Sequence, residues 1–226
     1  MAIKVFYHIC AITRALEVVE KQVRCIQYSG LYDDAYAIYC YISGDEDLIL
    51  KIVDLLEKSG KKFIIVKRVP NDTSYERLTL EDIHNHVDRT DSILYIHSKG
   101  VTPKYQDHPS ILTCIDDWMY MMMYYLVRHY KKCIAKLENY DTVGVNYSQL
   151  DMNVHIYYHW SGNYWWVRGD YFLTLPHKIG LQYLEPEVNF LFLNNPRYFE
   201  MHSSKIVEDH YIKRYEPFKY IDNIID

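Results

Sequence analysis

Two short stretches of the sequence combine an apolar or aromatic run with polar side chains and a glycine. They are Ser92–Gly100, which reads SILYIHSKG, and His159–Trp166, which reads HWSGNYWW. An apolar run such as SILYI is typical of a buried strand, and the residues after it then lie at its carboxyl end, where open α/β sheets bind ligands. Lys99 at this point can pair with a phosphate, and Gly100 allows the backbone to turn or to approach a ligand closely. The first stretch therefore predicts a phosphate-binding loop, and the alternative is an ordinary surface turn after a strand.

The second stretch carries the side chains that a sugar requires. A sugar presents a face of C–H groups and a rim of hydroxyls, so it binds to an aromatic platform flanked by hydrogen-bonding groups. The candidates for sugar binding are His159, Ser161, Gly162, Asn163, Trp165 and Trp166. The two tryptophans are adjacent on a predicted strand and so point to opposite faces of the sheet. At least one of them is therefore expected to belong to the core.

Three carboxylates are candidates for a general base acting on a hydroxyl group. Glu187 is the first choice because it follows the second stretch and precedes Phe190 and Phe192. Apolar neighbours can raise the pKa of a carboxyl group into a useful range. Glu185 is the second choice. Asp117, near the start of a long predicted helix, is the third, and its alternative role is to interact favourably with the helix dipole.

Composition and motifs exclude several classes of protein. The 226 residues are 49% hydrophobic and 24% charged, with a net charge of −5, so a surface for nucleic acid is not expected. The phosphate-binding patterns GxxxxGK[ST] and GxGxxG are absent, and the HxHxD at His84–Asp88 falls inside a helical pattern instead of following a strand. Five cysteines without a CxxC pair predict free thiols in a reducing, cytoplasmic compartment. Neither a membrane span nor a signal peptide is predicted.

Apolar runs and helical spacings alternate through residue 146. The predicted strands are Ile3–Ile9, Ala37–Ile42, Phe63–Val66, Ser92–Ile96, Thr142–Val145 and Trp165–Val167. The predicted helices are Ala15–Tyr28, Asp47–Lys58, Thr79–Val87 and Ile111–Leu137. This alternation predicts an α/β fold whose central, mostly parallel sheet of about six strands is flanked by helices.

Taken together, these segments resemble a family of small GT-A-type glycosyltransferases found in large DNA viruses, where they glycosylate the capsid, and in bacterial glycan clusters. The resemblance covers nearly the whole chain in the same order. The segments that carry it are FYHICAI, SGLYDDA, LYIHSKGV, DDW, YDTVGVNY, HWSGNYWW, PEVNFLF and the late Met201-His202-Ser203. The most specific part is LYIHSKG followed by SGNYWW. The resemblance implies a single GT-A-like domain, with a nucleotide-binding half at 1–146 and an acceptor-side half at 147–226.

The resemblance also implies a reaction and a division of roles. A hexosyl or deoxyhexosyl group would pass from a nucleoside-diphosphate sugar, of the uridine type, to a hydroxyl of a glycan or glycoprotein. The residues implied to hold the nucleotide and its diphosphate are His8, Ile9, Ala11, Thr13, His97, Ser98, Lys99, Gly100 and His202. A divalent cation, Mn²⁺ or Mg²⁺, is implied as cofactor, with His97 and His202 as its candidate protein ligands. If the protein is viral, its expected location is the host cytoplasm.

One position departs from the family pattern. Most GT-A enzymes have Asp-x-Asp at the end of the fourth strand to bind the cation, and here that stretch is His97-Ser98-Lys99. Lys99 would be able to neutralise the leaving diphosphate without a metal, or a cation would be held mainly by phosphate oxygens, one histidine and water. The sequence therefore predicts a glycosyltransferase, and the alternative is a non-catalytic module that binds a glycan or a nucleotide on the same fold.

Overall fold

The computed structural model describes residues 2–70, 75–102, 104, 106–151, 156–182, 184–188, 190–206 and 210–221. The strands and helices of this part of the chain are, in order, β1 (Ile3–Ala11), α1 (Ala15–Tyr28), α2 (Leu31–Asp34), β2 (Ala37–Gly44), α3 (Glu46–Ser59), β3 (Phe63–Pro70), α4 (Arg77–Leu80), β4 (Ser92–His97), α5 (Pro109–Met123), α6 (Tyr130–Leu137), β5 (Thr142–Val145), β6 (Tyr147–Asp151), β7 (Ile156–Trp160), β8 (Trp165–Arg168), α7 (Gly169–Phe172) and β9 (Tyr198–His202). Helix and strand alternate through β5, as the sequence predicts, but the predicted helix Thr79–Val87 is instead the short α4 followed by a 3-10 turn at Ile83–Asn85.

The central sheet has seven strands in the order β3-β2-β1-β4-β8-β5-β9. The pairs β3-β2, β2-β1, β1-β4 and β5-β9 are parallel, and β8 runs antiparallel to both β4 and β5. β6 and β7 form a separate antiparallel hairpin. The predicted fold class, α/β with a central, mostly parallel sheet flanked by helices, is confirmed. The sheet has one strand more than predicted because the short β9 lies in a segment without clear alternation.

Both faces of the sheet are covered, because alternate residues of its central strands enter two separate cores. Val5, Tyr7 and Ile9 of β1 enter a core with the apolar faces of α1, α3 and α5, whereas Phe6 enters a second core on the other face, together with Phe172. All five of these side chains are fully buried. The period of two along a strand thus explains how one strand supports both layers of helices and loops.

The long predicted helix Ile111–Leu137 is interrupted. α5 and α6 are joined by a π-helical turn at Tyr124–Arg128, and the Cys133 Sγ donates to the carbonyl of Tyr125 at 3.3 Å. Such a bond partly satisfies a carbonyl that the regular helical pattern would have used. No helix in the described part of the chain is both long and apolar enough to cross a membrane.

A buried ion pair joins the amino-terminal ends of the two central strands. Lys4 on β1 and Asp91 before β4 are 7% and 3% exposed, and Lys4 Nζ lies 2.7 Å from Asp91 Oδ2. The backbone carbonyl of Asp91 accepts a hydrogen bond from the amide of Gly169, at the start of α7. Burial acts to raise the pKa of Asp91, but the hydrogen bonds from Lys4 and from backbone amides leave this pKa below its ordinary value. The pair therefore stabilises the folded state when the carboxyl group is ionised.

We expect Asp91→Asn to lower the free energy of unfolding by about 3 kcal/mol at pH 7, because the buried Lys4 ammonium loses its buried counter-charge and keeps only the exposed Asp88 carboxylate, at 3.6 Å. A carboxyl group with a lowered pKa contributes its full stability above the pKa of the unfolded chain, about 4, and loses it as the pH falls through the folded-state pKa. The difference between wild type and variant should therefore shrink below pH 4. Chemical denaturation across pH 3–8 measures it.

Asp54→Asn is the control, because Asp54 forms an exposed pair with Lys58 on α3. Removing an exposed pair typically costs less than about 1 kcal/mol. An Asp91→Asn variant as stable as this control at pH 7 would contradict the assigned role of the buried pair.

Candidate functional site

A cavity of about 430 Å³ lies where β1, β2 and β4 end. The three strands are parallel, so their carboxyl ends meet at one edge of the sheet. The lining of the cavity includes His8 and Cys10 from β1, Ser43 and Gly44 from β2, and residues 97–102 from the end of β4 and the following loop. Other parts of the wall come from residues 75–76 before α4, from residues 184 and 186–187, and from Tyr211. This is the position at which open α/β sheets bind ligands.

The two stretches that the sequence singles out meet at this cavity. β4 pairs with β8 in antiparallel register, with Tyr95 opposite Trp165, and the His97 Nε2 donates to the carbonyl of Gly162 at 2.9 Å. Gly162 has φ +90°, and a Cβ at this position would lie 2.5 Å from the Sδ of Met122. The turn before β8 therefore requires glycine, both for its backbone conformation and for the space against α5.

The imidazole of His97 is neutral near pH 7. Burial and the positive charge of Lys99 lower the pKa of His97 to about 4. Because its Nε2 donates to the Gly162 carbonyl, the neutral ring carries its proton on Nε2, and Nδ1 has the lone pair. His97 thus acts as a hydrogen-bonding link between β4 and the turn before β8, and it adds no positive charge to the cavity.

Lys99 places a desolvated ammonium group at the cavity. The residue is 7% exposed, and its Nζ lies 4.1 Å from the centroid of the Trp118 ring and 5.7 Å from that of Tyr211. Burial lowers the pKa of Lys99, but Tyr211 and the carboxylates of Glu187 and Glu76 outweigh it and hold the pKa above its ordinary value. Within the described residues, Lys99 makes no ion pair of the kind that joins Lys4 to Asp91. The ammonium is therefore charged, held by an aromatic face and available to an anion.

Two carboxylates, Glu76 and Glu187, also line the cavity. The Glu76 Oε2 accepts a hydrogen bond from the Tyr95 hydroxyl at 2.7 Å and another from the Asn163 side-chain amide. The Glu187 Oε1 accepts from the amide of Gly162 at 3.4 Å. Both carboxylates are thus oriented by the turn before β8. Of the three candidate bases, Glu187 is the one that the structure brings to Lys99.

Sequence reasoning missed Glu76. It follows β3 and immediately precedes the short α4, in a part of the chain without apolar periodicity. Its Oε1 lies 3.9 Å from the His97 Nε2, so it belongs to the same cluster. The available signal was positional, because an acid between the third strand and the next helix falls at the ligand-binding edge of a parallel sheet.

The loop after β4 is fixed by bonds to β1. The Ser98 Oγ accepts from the amide of Cys10 at 2.8 Å, and the Ser98 amide donates to the carbonyl of His8 at 3.0 Å. Gly100 has φ +80°, and a Cβ there would lie 2.4 Å from the Cγ2 of Ile115. Ser98 and Gly100 thus set the course of the loop, and the Lys99 side chain between them enters the cavity.

Three of the residues implied to hold the nucleotide, on β1 or just after it, do not line the cavity. Ile9 and Ala11 are fully buried in the core under α1 and α3, because the alternation along β1 turns them away from the cavity. Thr13 donates its hydroxyl to the carbonyl of Val101 and so supports the loop after β4. His8 lines the cavity, and its Nδ1 is 2.9 Å from the Oγ1 of Thr79.

The predicted sugar platform is not on the surface. Trp165 and Trp166 are both almost completely buried, where the sequence required only one to be so. The Trp165 Nε1 donates to the Asn163 Oδ1 at 2.8 Å, and the Trp166 Nε1 donates to the carbonyl of Leu126 at 2.7 Å. Both rings belong to the two cores on either face of β8, so neither can stack on a bound sugar.

His159 and Ser161 lie close to the cavity without lining it. Burial lowers the pKa of His159. Glu187 acts to raise this pKa and Lys99 acts to lower it further, so the ring lies near both residues. Ser161 donates its amide to the carbonyl of Asn146 at 3.0 Å, and this bond connects the β7–β8 turn to the end of β5. The observed contribution of Ser161 is therefore to hold the turn that carries Gly162.

The other two candidate bases lie away from Lys99. The Glu185 Oε2 accepts from the amide of Gln182 at 2.7 Å, on the wall of a second cavity. Asp117 on α5 forms an ion pair with Arg214, in which Arg214 Nε lies 2.7 Å from Asp117 Oδ2. Both carboxylates have local structural partners that account for their positions.

The two candidate metal ligands cannot share one cation. β4 and β9 are separated in the sheet by β8 and β5, so the backbones of His97 and His202 lie about 14 Å apart. The His202 ring stacks on the Tyr125 ring, with the two ring centroids 4.3 Å apart, and the His202 Nε2 is 2.8 Å from the hydroxyl of Tyr215. Among the described residues, no group of three or more His, Cys, Asp or Glu side chains is arranged to hold a metal ion. The residues present therefore do not fit a divalent cation held on protein ligands, and the implied Mn²⁺ or Mg²⁺ stays a prediction.

A family model described as "Domain of unknown function (DUF8361)" matches residues 6–206. Among curated proteins no match was found. Two similar solved structures are 4-diphosphocytidyl-2C-methyl-D-erythritolsynthase from Anaerococcus prevotii DSM 20548, with 12% identity and a TM-score of 0.47, and HddC from Yersinia pseudotuberculosis, with 11% identity and a TM-score of 0.48. The alignments cover 89% of this chain and 86% of the first, and 88% of this chain and 90% of the second. Similarity at this level transfers neither ligand nor activity.

We expect Lys99→Met to raise the pKa of His97 from about 4 toward its ordinary value of about 6.5, because the exchange removes the positive charge that disfavours the imidazolium. Burial remains, so the pKa should stay below 6.5. An NMR titration of ring-labelled histidine measures the change, with the His97 signal assigned by its loss in His97→Gln. Lys58→Met, on the exposed face of α3, is the control. Titration of wild-type His97 near pH 6.5 would refute the neutral, buried ring.

Proposed function

We propose that this chain, which belongs to the DUF8361 domain family, is a glycosyltransferase that moves a sugar from a nucleoside-diphosphate sugar to a hydroxyl of a glycan. The observation that carries the proposal is the buried, charged Lys99 at the carboxyl ends of parallel strands. Glu76, Glu187 and Tyr211 keep the group charged without a close ion pair among the described residues, so the ammonium can still pair with an anion, and a diphosphate supplies one. The donor and the acceptor would then occupy different parts of the cavity, each next to the groups proposed to act on it.

The diphosphate is proposed to lie against Lys99 and the backbone of Gly100–Thr102. These residues line the cavity together, and the glycine lets the backbone approach a ligand closely. A lysine pairs with phosphate as a point charge, and its interaction is stronger where water is excluded. Negative charge builds up on the leaving diphosphate as the sugar departs, so Lys99 stabilises the transition state more than the ground state.

The acceptor is proposed to enter on the side of Glu187. Its hydroxyl oxygen attacks the anomeric carbon and forms the new C–O bond. The bond from that carbon to the diphosphate oxygen breaks, and its electron pair leaves with the nucleoside diphosphate. In an inverting reaction Glu187 takes the hydroxyl proton as a general base. A retaining reaction would need no such base.

The identity of the donor and acceptor follows from the sequence resemblance. A uridine nucleotide carrying a hexosyl or deoxyhexosyl group is the proposed donor, and a glycan of a viral capsid or a cell surface is the proposed acceptor. The competing function is a module that binds nucleotide or glycan without turnover. The His97-Ser98-Lys99 sequence, in place of a carboxylate pair, is the observation in its favour.

We expect Lys99→Met to weaken the binding of uridine diphosphate by about 1.5–3 kcal/mol, the range for a charge-assisted contact. Methionine keeps the apolar stem against Trp118, so the variant should fold. Isothermal calorimetry measures the affinity, with Lys58→Met as the control. A folded Lys99→Met variant with wild-type affinity would remove Lys99 from the proposed diphosphate site.

We expect Glu187→Gln to slow sugar transfer by about 100-fold or more while the affinity for uridine diphosphate stays unchanged, because glutamine keeps the size but cannot accept the proton. Transfer is measured as release of uridine diphosphate at saturating donor and acceptor. Glu57→Gln, on the exposed face of α3, is the matched control. A wild-type rate in Glu187→Gln would exclude Glu187 as the base, and nucleotide binding without any turnover in the wild type would favour the binding module.

A further inference from the structure

A second cavity, of about 480 Å³, lies beside the first and shares Leu184 with it. From it we infer a binding site for a neutral sugar unit of the acceptor glycan, an inference that rests on the function proposed above. The segment between the cavities carries Glu187 into the first and Glu185 into the second. A sugar bound in the second cavity therefore lies one short segment away from the proposed base.

The need for such a site follows from the buried tryptophans. A sugar requires an accessible aromatic or apolar face with hydrogen-bonding groups around it, and Trp165 and Trp166 are enclosed in the two cores. The second cavity offers both kinds of surface. The partly exposed Tyr157 contributes aromatic area, Leu193 contributes apolar area, and Gln182 contributes an amide. Its volume falls within the range of small-ligand sites, about 300–1,000 Å³.

Hydrogen bonds from α4, which begins beside the first cavity, hold the wall of the second cavity. The Arg77 Nε on α4 donates to the carbonyl of Gly180 at 2.6 Å, and its Nη2 donates to the carbonyl of Gln182. The Glu81 Oε1, at the end of α4, accepts from the amide of Ile179 at 3.0 Å. Glu76, the residue before α4, lines the first cavity. The positions of the two cavities are therefore fixed relative to each other by one turn of helix.

The charges around the second cavity favour a neutral ligand. Lys178 Nζ lies 2.8 Å from Glu81 Oε2, so this cation already has a counter-charge. The Glu185 carboxylate already accepts a backbone amide at 2.7 Å. The hydroxyl groups of a neutral sugar can hydrogen-bond to both Lys178 and Glu185 without bringing a charge into the cavity. The carboxylate of a sugar acid would instead face the like charge of Glu185.

The test uses the full chain and a panel of neutral methyl glycosides, namely the glucoside, galactoside, xyloside and rhamnoside, at 20 mM with saturating uridine diphosphate. Binding is read by saturation-transfer NMR. We expect Gln182→Ala to raise the dissociation constant of the bound glycoside about fivefold, as for loss of one hydrogen bond. Gln182 engages Arg77 and Glu185 through its backbone, so the loop should survive the exchange. Leu193→Trp, a partly exposed residue of the lining, should fill the cavity and abolish binding.

Leu181→Ala is the matched control, because Leu181 neighbours Gln182 and is 93% exposed outside the cavity. Wild-type glycoside binding in both Gln182→Ala and Leu193→Trp overturns the assignment, as does the absence of binding for every glycoside in the wild type. The affinity for uridine diphosphate, measured on the same samples, reports separately on the proposed function. Nucleotide binding without glycoside binding leaves the donor site standing and removes only this inference.

Discussion

The arrangement of the cavity depends on the desolvation of one ammonium group. Lys99 is almost completely buried, and its charge is retained because an indole face, a phenol and two carboxylates surround it. Burial, together with this charge, keeps the imidazole of His97 neutral, which leaves that ring free to act as a hydrogen-bonding link. The protonation states of Lys99 and His97 are therefore linked.

A fully buried glutamine holds the lysine-bearing loop to the rest of the domain. The Gln22 Nε2 on α1 donates to the carbonyl of His97 at 2.9 Å and to the hydroxyl of Tyr164, while its Oε1 accepts from the hydroxyl of Tyr7. One side chain thus connects a helix, the middle of β1, the end of β4 and the residue before β8. Because the two tyrosine partners are fully buried, loss of one of their bonds would leave unsatisfied polar groups, so the network resists rearrangement.

The periodicity of apolar residues predicted the helices and strands that bury one face. It did not predict features that depend on how distant elements pack together. Helix Ala15–Tyr28 was predicted with its exact bounds, since its apolar spacing is strong. The meeting of the two polar stretches also follows from their positions at strand ends. The burial of both Trp165 and Trp166 could not be predicted, because β8 is central and both of its faces are covered. His202 lost its place in the site through strand order, which a single sequence does not reveal, whereas Glu76 was missed although its position after β3 offered a signal.

The position of Trp118 beneath the lysine has a spectroscopic consequence. The chain has four tryptophans, and the indole nitrogens of the other three donate to protein oxygens inside the cores. Only the Trp118 ring lies 4.1 Å from the cavity's ammonium, whose field acts directly on the excited state of the indole. Any anion that neutralises this charge therefore changes the field at Trp118, the indole in contact with the ammonium. The protein thus contains an intrinsic fluorescent reporter of the electrostatic state of its own cavity.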